Sequence, residues 1–337
     1  MDARAVPSRY RLWLLAGGFG LFLYALVRLD PAAVFSVLLR IRWGFLWIVL
    51  LYAGHQLLRT FALSRCLVAE SAASFWDLAK IRLSGEAVQF LTLTGPFLAE
   101  PAKALLLRGQ GIRSTQAFAA TIAEFLTYTF TSAAMAIAGL LYLQKHFEVE
   151  GPVGAGVSAL VYGMSAFLVT AAIAIVFRIY LIGAILNGIQ RLPEVGKYLR
   201  LDAQQVRATE DILLLVLRDR PFRFLQVVWI ELVAQLLLVA EIFVFLRATG
   251  EPFVPVHPFL LEAVTKFIGL AFFFIPAQIG ASESVYALAF GQMGLTAAAG
   301  FTLAFVRRLR SLLVALAGLG LNPLWSGMAR EGEKEND

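Results

Sequence analysis

The residues with chemical potential in this 337-residue chain are ionisable side chains embedded in apolar sequence. Two runs combine a helix breaker with a carboxylate. They are Thr94-Gly95-Pro96-Phe97-Leu98-Ala99-Glu100-Pro101-Ala102-Lys103 and Ile275-Pro276-Ala277-Gln278-Ile279-Gly280-Ala281-Ser282-Glu283. A helix broken at membrane depth frees backbone groups that lipid cannot satisfy, so it must be packed in protein or line a water-filled cavity. Half-helix ends exposed there carry partial charges suited to a charged ligand group. Thr94, Pro96, Glu100, Lys103, Pro276, Gln278 and Glu283 are therefore candidate ligand-binding residues. An isolated Pro kink with a local Glu100–Lys103 helix pair is the plainer reading of one run. Two runs with the same composition favour a cavity.

Further ionisable groups sit well inside apolar stretches. Thr121, Glu124, Tyr128 and Thr131 form one polar stripe at helical spacing, while His55/Arg59 and Glu231/Gln235 are each one turn apart. Arg307, Arg308 and Arg310 interrupt the last apolar region. A charge facing lipid at a helix centre costs about 2.5–3.5 kcal/mol even on the lenient scale, so such residues turn inward and find partners. The pairing expected is Glu124 and Glu283 with the late arginines, which adds Glu124, Arg307 and Arg308 to the candidate set. A cytosolic turn at Arg307–Arg310 would leave 311–325 short for a crossing.

Enzyme chemistry has little support. The sequence holds no CxxC, HExxH, Walker or GxGxxG motif, and its histidines (His55, His146, His257) are scattered. Gly280-Ala281-Ser282 lacks a suitably placed histidine to serve as a protease nucleophile. The lone Cys66 permits no internal disulfide. No catalytic residue, metal site or cofactor is expected, and without a nucleotide motif any directional work would draw on an ion, potential or lipid gradient.

The elements that must hold these residues follow from composition. At 59% hydrophobic and 15% charged, the chain departs from the ~45–50% and ~25% of soluble domains. The net charge of +6 comes from basic residues in short loops, which points to an anionic lipid surface and topology rather than nucleic acid. An N-terminal apolar run, about 12–29, reads as an uncleaved helix. An interfacial stripe follows (Val34, Val37, Leu38, Ile41). Spans are expected at Trp43–Leu63, Gln116–Leu143, Val153–Phe177, Phe224–Leu246 and Ala297–Trp325, with 65–82 as a polar loop. Each half of Leu83–Leu107 is too short to cross, and His257–Gly280 is likewise interrupted. The fold expected is all-α and polytopic, with about six full transmembrane helices and two re-entrant broken-helix hairpins.

Local repeats suggest how the hairpins relate. Glu86-Ala87-Val88 recurs as Glu262-Ala263-Val264 before the breaks, and Gly109-Gln110-Gly111 is echoed by Gly291-Gln292-Met293-Gly294 after them. Residues 43–143 and 224–325 thus read as two copies of a unit, joined by an amphipathic connector, 178–223, within one membrane domain. With the N-terminus cytoplasmic in the inner (plasma) membrane, the basic segments, including eight Lys/Arg in 178–223, fall inside. The copies then enter from opposite sides as an inverted repeat, the organisation of many secondary transporters.

The first run resembles the P-x-x-G-E-x-x-[KR] element of the lysylphosphatidylglycerol synthase transmembrane-region family, and the second resembles its P-G-G-x-G-x-x-E element. This is similar to the flippase-like domain of the multiple peptide resistance factor and of stand-alone hopanoid-associated members, over about residues 10–325. Ala99 stands where the family has Gly, and Ala277-Gln278 where it has Gly-Gly. The resemblance implies a lipid flippase or transporter moving a polar-headed phospholipid between leaflets without ATP. Synthase activity would need an attached cytosolic domain, for which the twelve residues after Trp325 leave no room. The alternative is a non-transporting scaffold or lipid-presenting partner of a lipid-modifying enzyme.

Overall fold

Backbone groups in hydrocarbon must be satisfied within their own segment, and this apolar chain meets that demand with helices. The computed structural model describes residues 36, 39–68, 73–91, 96–147, 151–180, 183, 203–272, 275 and 278–320. The expected N-terminal span, most of the interfacial stripe and residues 321–337 lie outside the described residues, as do Thr94 and Pro276.

The described helices are α1 (Gly44–Cys66), α2 (Phe75–Leu91), α3 (Pro96–Gly109), α4 (Ser114–His146), α5 (Gly151–Val176), α6 (Ala203–Leu214), α7 (Pro221–Thr249), α8 (His257–Ala271), α9 (Ala281–Gln292) and α10 (Ala297–Gly320). A π-helical turn, Leu215–Asp219, joins α6 to α7. No strand occurs among the described residues, and α1, α4, α5 and α7 are each long and apolar enough to cross a membrane. The protein is an all-α polytopic membrane protein. Helices α2, α3, α8 and α9 have 17, 14, 15 and 12 residues, short of the ~20 a crossing needs.

Two boundaries differ from the sequence reading. The segment 65–82 is not one loop, because α2 begins at Phe75. Ser74 and Asp77 start it with a reciprocal cap. The Ser74 N–H donates to Asp77 Oδ2 (3.3 Å) and the Asp77 N–H to Ser74 Oγ (3.2 Å), which satisfies orphan donors of the first turn. Arg82 is consequently a buried helical residue, 1% exposed, rather than a loop cation. Helix α7 starts at Pro221, whose missing N–H costs nothing in a first turn.

The packing partners are reciprocal. Helix α1 lies against α7; α2 packs on α10 and α8 on α4; α3 packs on α4 and α9 on α10. The connector helix α6 also docks on α4. Small residues allow the closest approaches. A Cβ on Gly318 would sit 2.1 Å from the Leu83 carbonyl oxygen, and one on Gly139 would sit 2.3 Å from the Ala263 Cβ. Helix α5, with 17% of its apolar window buried against 39–44% in the other three candidate spans, lies at the periphery.

Two apolar cores flank a polar layer. One gathers Ile48, Leu140, Ile242, Phe245, Leu260 and Phe290, and the other Leu63, Ile81, Leu107, Ala120 and Val227. Along α1, α4 and α7 the buried ionisable residues His55, Arg59, Glu124, Glu231 and Glu241 fall between these two sets. The fold thus concentrates its buried charge in one layer.

Candidate functional site

Glu124, on α4, is fully buried and collects cations from three other helices. From α1, Arg59 Nε donates to Oε1 at 2.9 Å and Nη2 lies 2.6 Å from the same oxygen. Arg82 Nη1, from α2, donates to Oε1 at 2.8 Å, and Lys103 Nζ, from α3, to Oε2 at 3.4 Å. Two of these cations have a further acceptor. Arg82 Nε donates to Gln56 Oε1 (2.9 Å) and Nη2 to Glu86 Oε1 (3.4 Å), while Lys103 Nζ pairs with Glu100 Oε1 (2.8 Å). Such closure is what a desolvated ion cluster requires, since one unpaired buried charge costs several kcal/mol.

The second centre has the opposite sign. Arg307, on α10, donates through Nε to Glu241 Oε1 (3.0 Å) and through Nη2 to Glu262 Oε2 (2.6 Å). Its Nη1 donates to Thr265 Oγ1 (2.7 Å) and the Tyr286 hydroxyl (3.0 Å). Lys266 Nζ pairs with Glu262 Oε1 at 2.9 Å, and Arg310 pairs with Glu241. Two tyrosines lie under guanidinium groups. Arg59 sits 3.6 Å from the Tyr128 ring centroid and Arg310 3.6 Å from that of Tyr52, both at cation–π distance.

Between the two centres lies a cavity of about 180 Å³. Its wall carries six cations (Arg59, Arg82, Lys103, Lys266, Arg307 and Arg310) but only three carboxylates, Glu86, Glu100 and Glu262. Glu124, Glu231 and Glu241, each 0% exposed, stand behind that wall. A cation-rich face backed by carboxylates is suited to an anionic group, and guanidinium forks match phosphate oxygens bidentately. Gly85 and Ala99 complete the wall beside Lys103. A Cβ on Gly85 would meet Lys103 Cγ at 2.5 Å, so glycine there leaves room for the lysine stem.

The candidates from sequence are brought together only in part. Glu100, Lys103 and Arg307 line the cavity, and Glu124 lies directly behind it. Glu283 and Arg308 pair with each other away from this wall. Glu283 Oε2 also accepts the Gly280 N–H (2.8 Å), capping α9, and Arg308 Nη2 donates to Ser282 Oγ (3.1 Å). Gln278 has a positive φ of 52°, and its carbonyl oxygen accepts from Ser282 Oγ (3.0 Å), so it shapes the turn before α9. Pro96 opens α3, while Thr94 and Pro276 lie outside the described residues.

One expected pairing is corrected. Glu124 does not pair with the late arginines, because Arg59, Arg82 and Lys103 occupy both of its oxygens. Arg307 takes Glu241 and Glu262 instead. Sequence reasoning misses Arg82, Glu86, Glu241, Glu262, Lys266 and Arg310 as site residues. The i, i+4 pairs Arg82/Glu86 and Glu262/Lys266 are the signal that could have found four of them.

Residues 12–318 match the family described as the lysylphosphatidylglycerol synthase TM region. The chain belongs to this family. The match takes in both interrupted elements and every charged side chain of the cavity. Membership in the lysylphosphatidylglycerol synthase TM region family carries a membrane-embedded, lipid-related and flippase-like role. No curated protein and no solved structure matches the chain.

Proposed function

We propose that this protein moves a polar-headed phospholipid between leaflets without ATP, its anionic headgroup entering the cavity while the acyl chains stay in the bilayer. The observation carrying this reading is the wall in which Arg59, Arg82, Lys103, Lys266, Arg307 and Arg310 outnumber Glu86, Glu100 and Glu262. Phosphate is the headgroup moiety that such a wall fits best.

The reading includes two units in an inverted repeat, each a span, a re-entrant hairpin and a long helix: α1 to α4 and α7 to α10. Support comes from the exchanged contacts, α2 on α10 against α8 on α4, which an approximate two-fold relation would produce. In this scheme the headgroup is bound at the paired re-entrant hairpins, with Glu283 and Arg308 holding the second of them to α10. The basic connector 178–223 and the N-terminus face the cytoplasm, in the inner membrane.

Purified protein reconstituted into phosphatidylcholine vesicles with tail-labelled phosphatidylglycerol tests the proposal. Dithionite should bleach the inner-leaflet label over time in protein-containing vesicles and not in protein-free ones. Arg307→Ala should slow this movement at equal folded protein. Lipid binding without movement would replace transport by a scaffold or lipid-presenting role.

A further inference from the structure

One buried acid plays no part in the ion pairing described so far. Glu231, on α7, is 0% exposed, and no hydrogen-bond donor reaches either of its carboxylate oxygens among the described residues. Its one ionic contact is Arg59 Nε at 3.5 Å, and that nitrogen already donates to Glu124 at 2.9 Å. Glu231 and Glu124 thus both approach the same Arg59 nitrogen. Two carboxylates that share one guanidinium, one fully bonded and the other not, form an arrangement in which the second takes up a single added proton.

Among the described residues, the charged groups on the elements around Glu231 have partners of their own. From α1, His55 uses Nδ1 on the Ala234 carbonyl at 3.0 Å, and Arg59 is committed to Glu124. From α4 comes Glu124 itself, and Arg82, acting across from α2, is spent on Glu124, Gln56 and Glu86. Helices α8 and α10 bring Glu262, Lys266, Arg307 and Arg310, which are engaged among themselves and with Glu241. The π-helical turn contributes Asp219, paired with Arg178.

Charge bookkeeping gives the proton a purpose. The six wall cations are matched by six carboxylates, the three of the wall and Glu124, Glu231 and Glu241 behind it. A phosphodiester entering this layer adds one uncompensated negative charge where the surroundings screen poorly. We propose that Glu231 is a proton-binding site that loads as the anionic headgroup enters, so that the lipid and one proton travel together without net charge. The step is a protonation only. A proton delivered from bulk solution as hydronium reaches the layer through the cavity, binds a Glu231 oxygen and leaves a water molecule behind, so that Arg59 keeps its bonds to Glu124 but loses its second carboxylate and can offer a remaining N–H to the phosphate. The headgroup keeps its charge and no other bond changes. This inference rests on the proposed headgroup site for the identity of the anion.

The test uses the purified full chain in a weakly buffered, uncharged detergent at pH 7.5, with a pH-indicator dye and short-chain phosphatidylglycerol as probe. Binding is followed in parallel by calorimetry. The expected result is about one proton taken up per lipid bound, and an affinity that weakens up to tenfold per pH unit on the alkaline side. Short-chain phosphatidylcholine, already neutral, should take up none. Glu231→Gln, which mimics the protonated form, should bind phosphatidylglycerol with no proton uptake and no pH dependence. Phosphatidylglycerol binding without proton uptake by the natural chain overturns the inference and leaves the headgroup site standing. Absence of any phosphatidylglycerol binding overturns the headgroup site and the inference with it. Undiminished proton uptake in Glu231→Gln assigns the proton elsewhere and also overturns it. The natural-chain measurement decides the matter even if that variant does not fold.

Discussion

Glu124, on α4, and Arg307, on α10, each stand at the centre of a buried ion cluster, yet their surroundings are opposite in sign. Around Glu124 three cations from α1, α2 and α3 converge on two oxygens. Around Arg307 two carboxylates and two hydroxyls take up one guanidinium. The difference lies in redundancy. The carboxylates of Arg307 have second cations, Arg310 for Glu241 and Lys266 for Glu262. Among the cations of Glu124, Lys103 also has Glu100, Arg82 has Glu86, and Arg59 has only the more distant Glu231. The first centre is therefore the more fragile, because one side chain unites three helices.

The comparison is broken most severely by Glu124→Ala. It leaves Arg59, Arg82 and Lys103 crowded with no central anion, and breaking a buried pair from one side costs about 3–5 kcal/mol. Thermal unfolding in detergent should show the largest loss of any single substitution in the polar layer. Arg307→Ala should fall at the lower end of that range, about 3 kcal/mol, because Lys266 and Arg310 still hold the two carboxylates. Adding Glu262→Gln to Arg307→Ala should recover part of the loss, whereas adding Glu124→Gln should simply sum with it, since non-contacting sites are additive within about 0.5 kcal/mol. Recovery by Glu124→Gln would mean that the two centres are one network.

Gly318→Ala separates packing from charge. Its new Cβ would lie 2.1 Å from a backbone oxygen of Leu83, which cannot rotate away, so α10 must shift from α2. Overpacking of this kind costs about 1–3 kcal/mol. It should lower the melting temperature less than Glu124→Ala does, with lipid movement slowed at equal folded protein. The smallest effect is expected at the helix starts. Ser74→Ala removes one side of the Ser74–Asp77 box at an exposed site and should cost about 1 kcal/mol, read as a slightly earlier unfolding transition.

Much of the polar layer is legible in the amino-acid sequence, because physics forbids the alternative. Glu124, Glu231 and Arg307 stand in apolar stretches, and lipid does not tolerate a bare charge, so their inward direction follows from residue type and position. The start of α3 at Pro96 follows from a ring that is tolerated in a first turn but cannot continue a preceding helix. The pairing of Glu283 with a late arginine follows from the same reasoning, and Arg308 is that partner. Arg82 is missed because hydropathy reads a polar segment as a loop. A capped helix such as α2 has the same average composition, and what buries its Arg82 is contact with other chain segments.

What only the tertiary structure decided is which charge meets which. Hydrophobicity dictates that a buried ion have a partner but is silent on its identity, since several carboxylates and cations in this chain qualify. The choice depends on helix crossings tens to hundreds of residues apart in sequence, such as α2 on α10 with its Gly318 contact and α3 on α4. Those crossings are set by small-residue contacts and shape. They put Arg59, Arg82 and Lys103 within reach of Glu124, reserve Glu241 and Glu262 for Arg307, and leave Glu231 in the polar layer without a hydrogen-bond donor among the described residues.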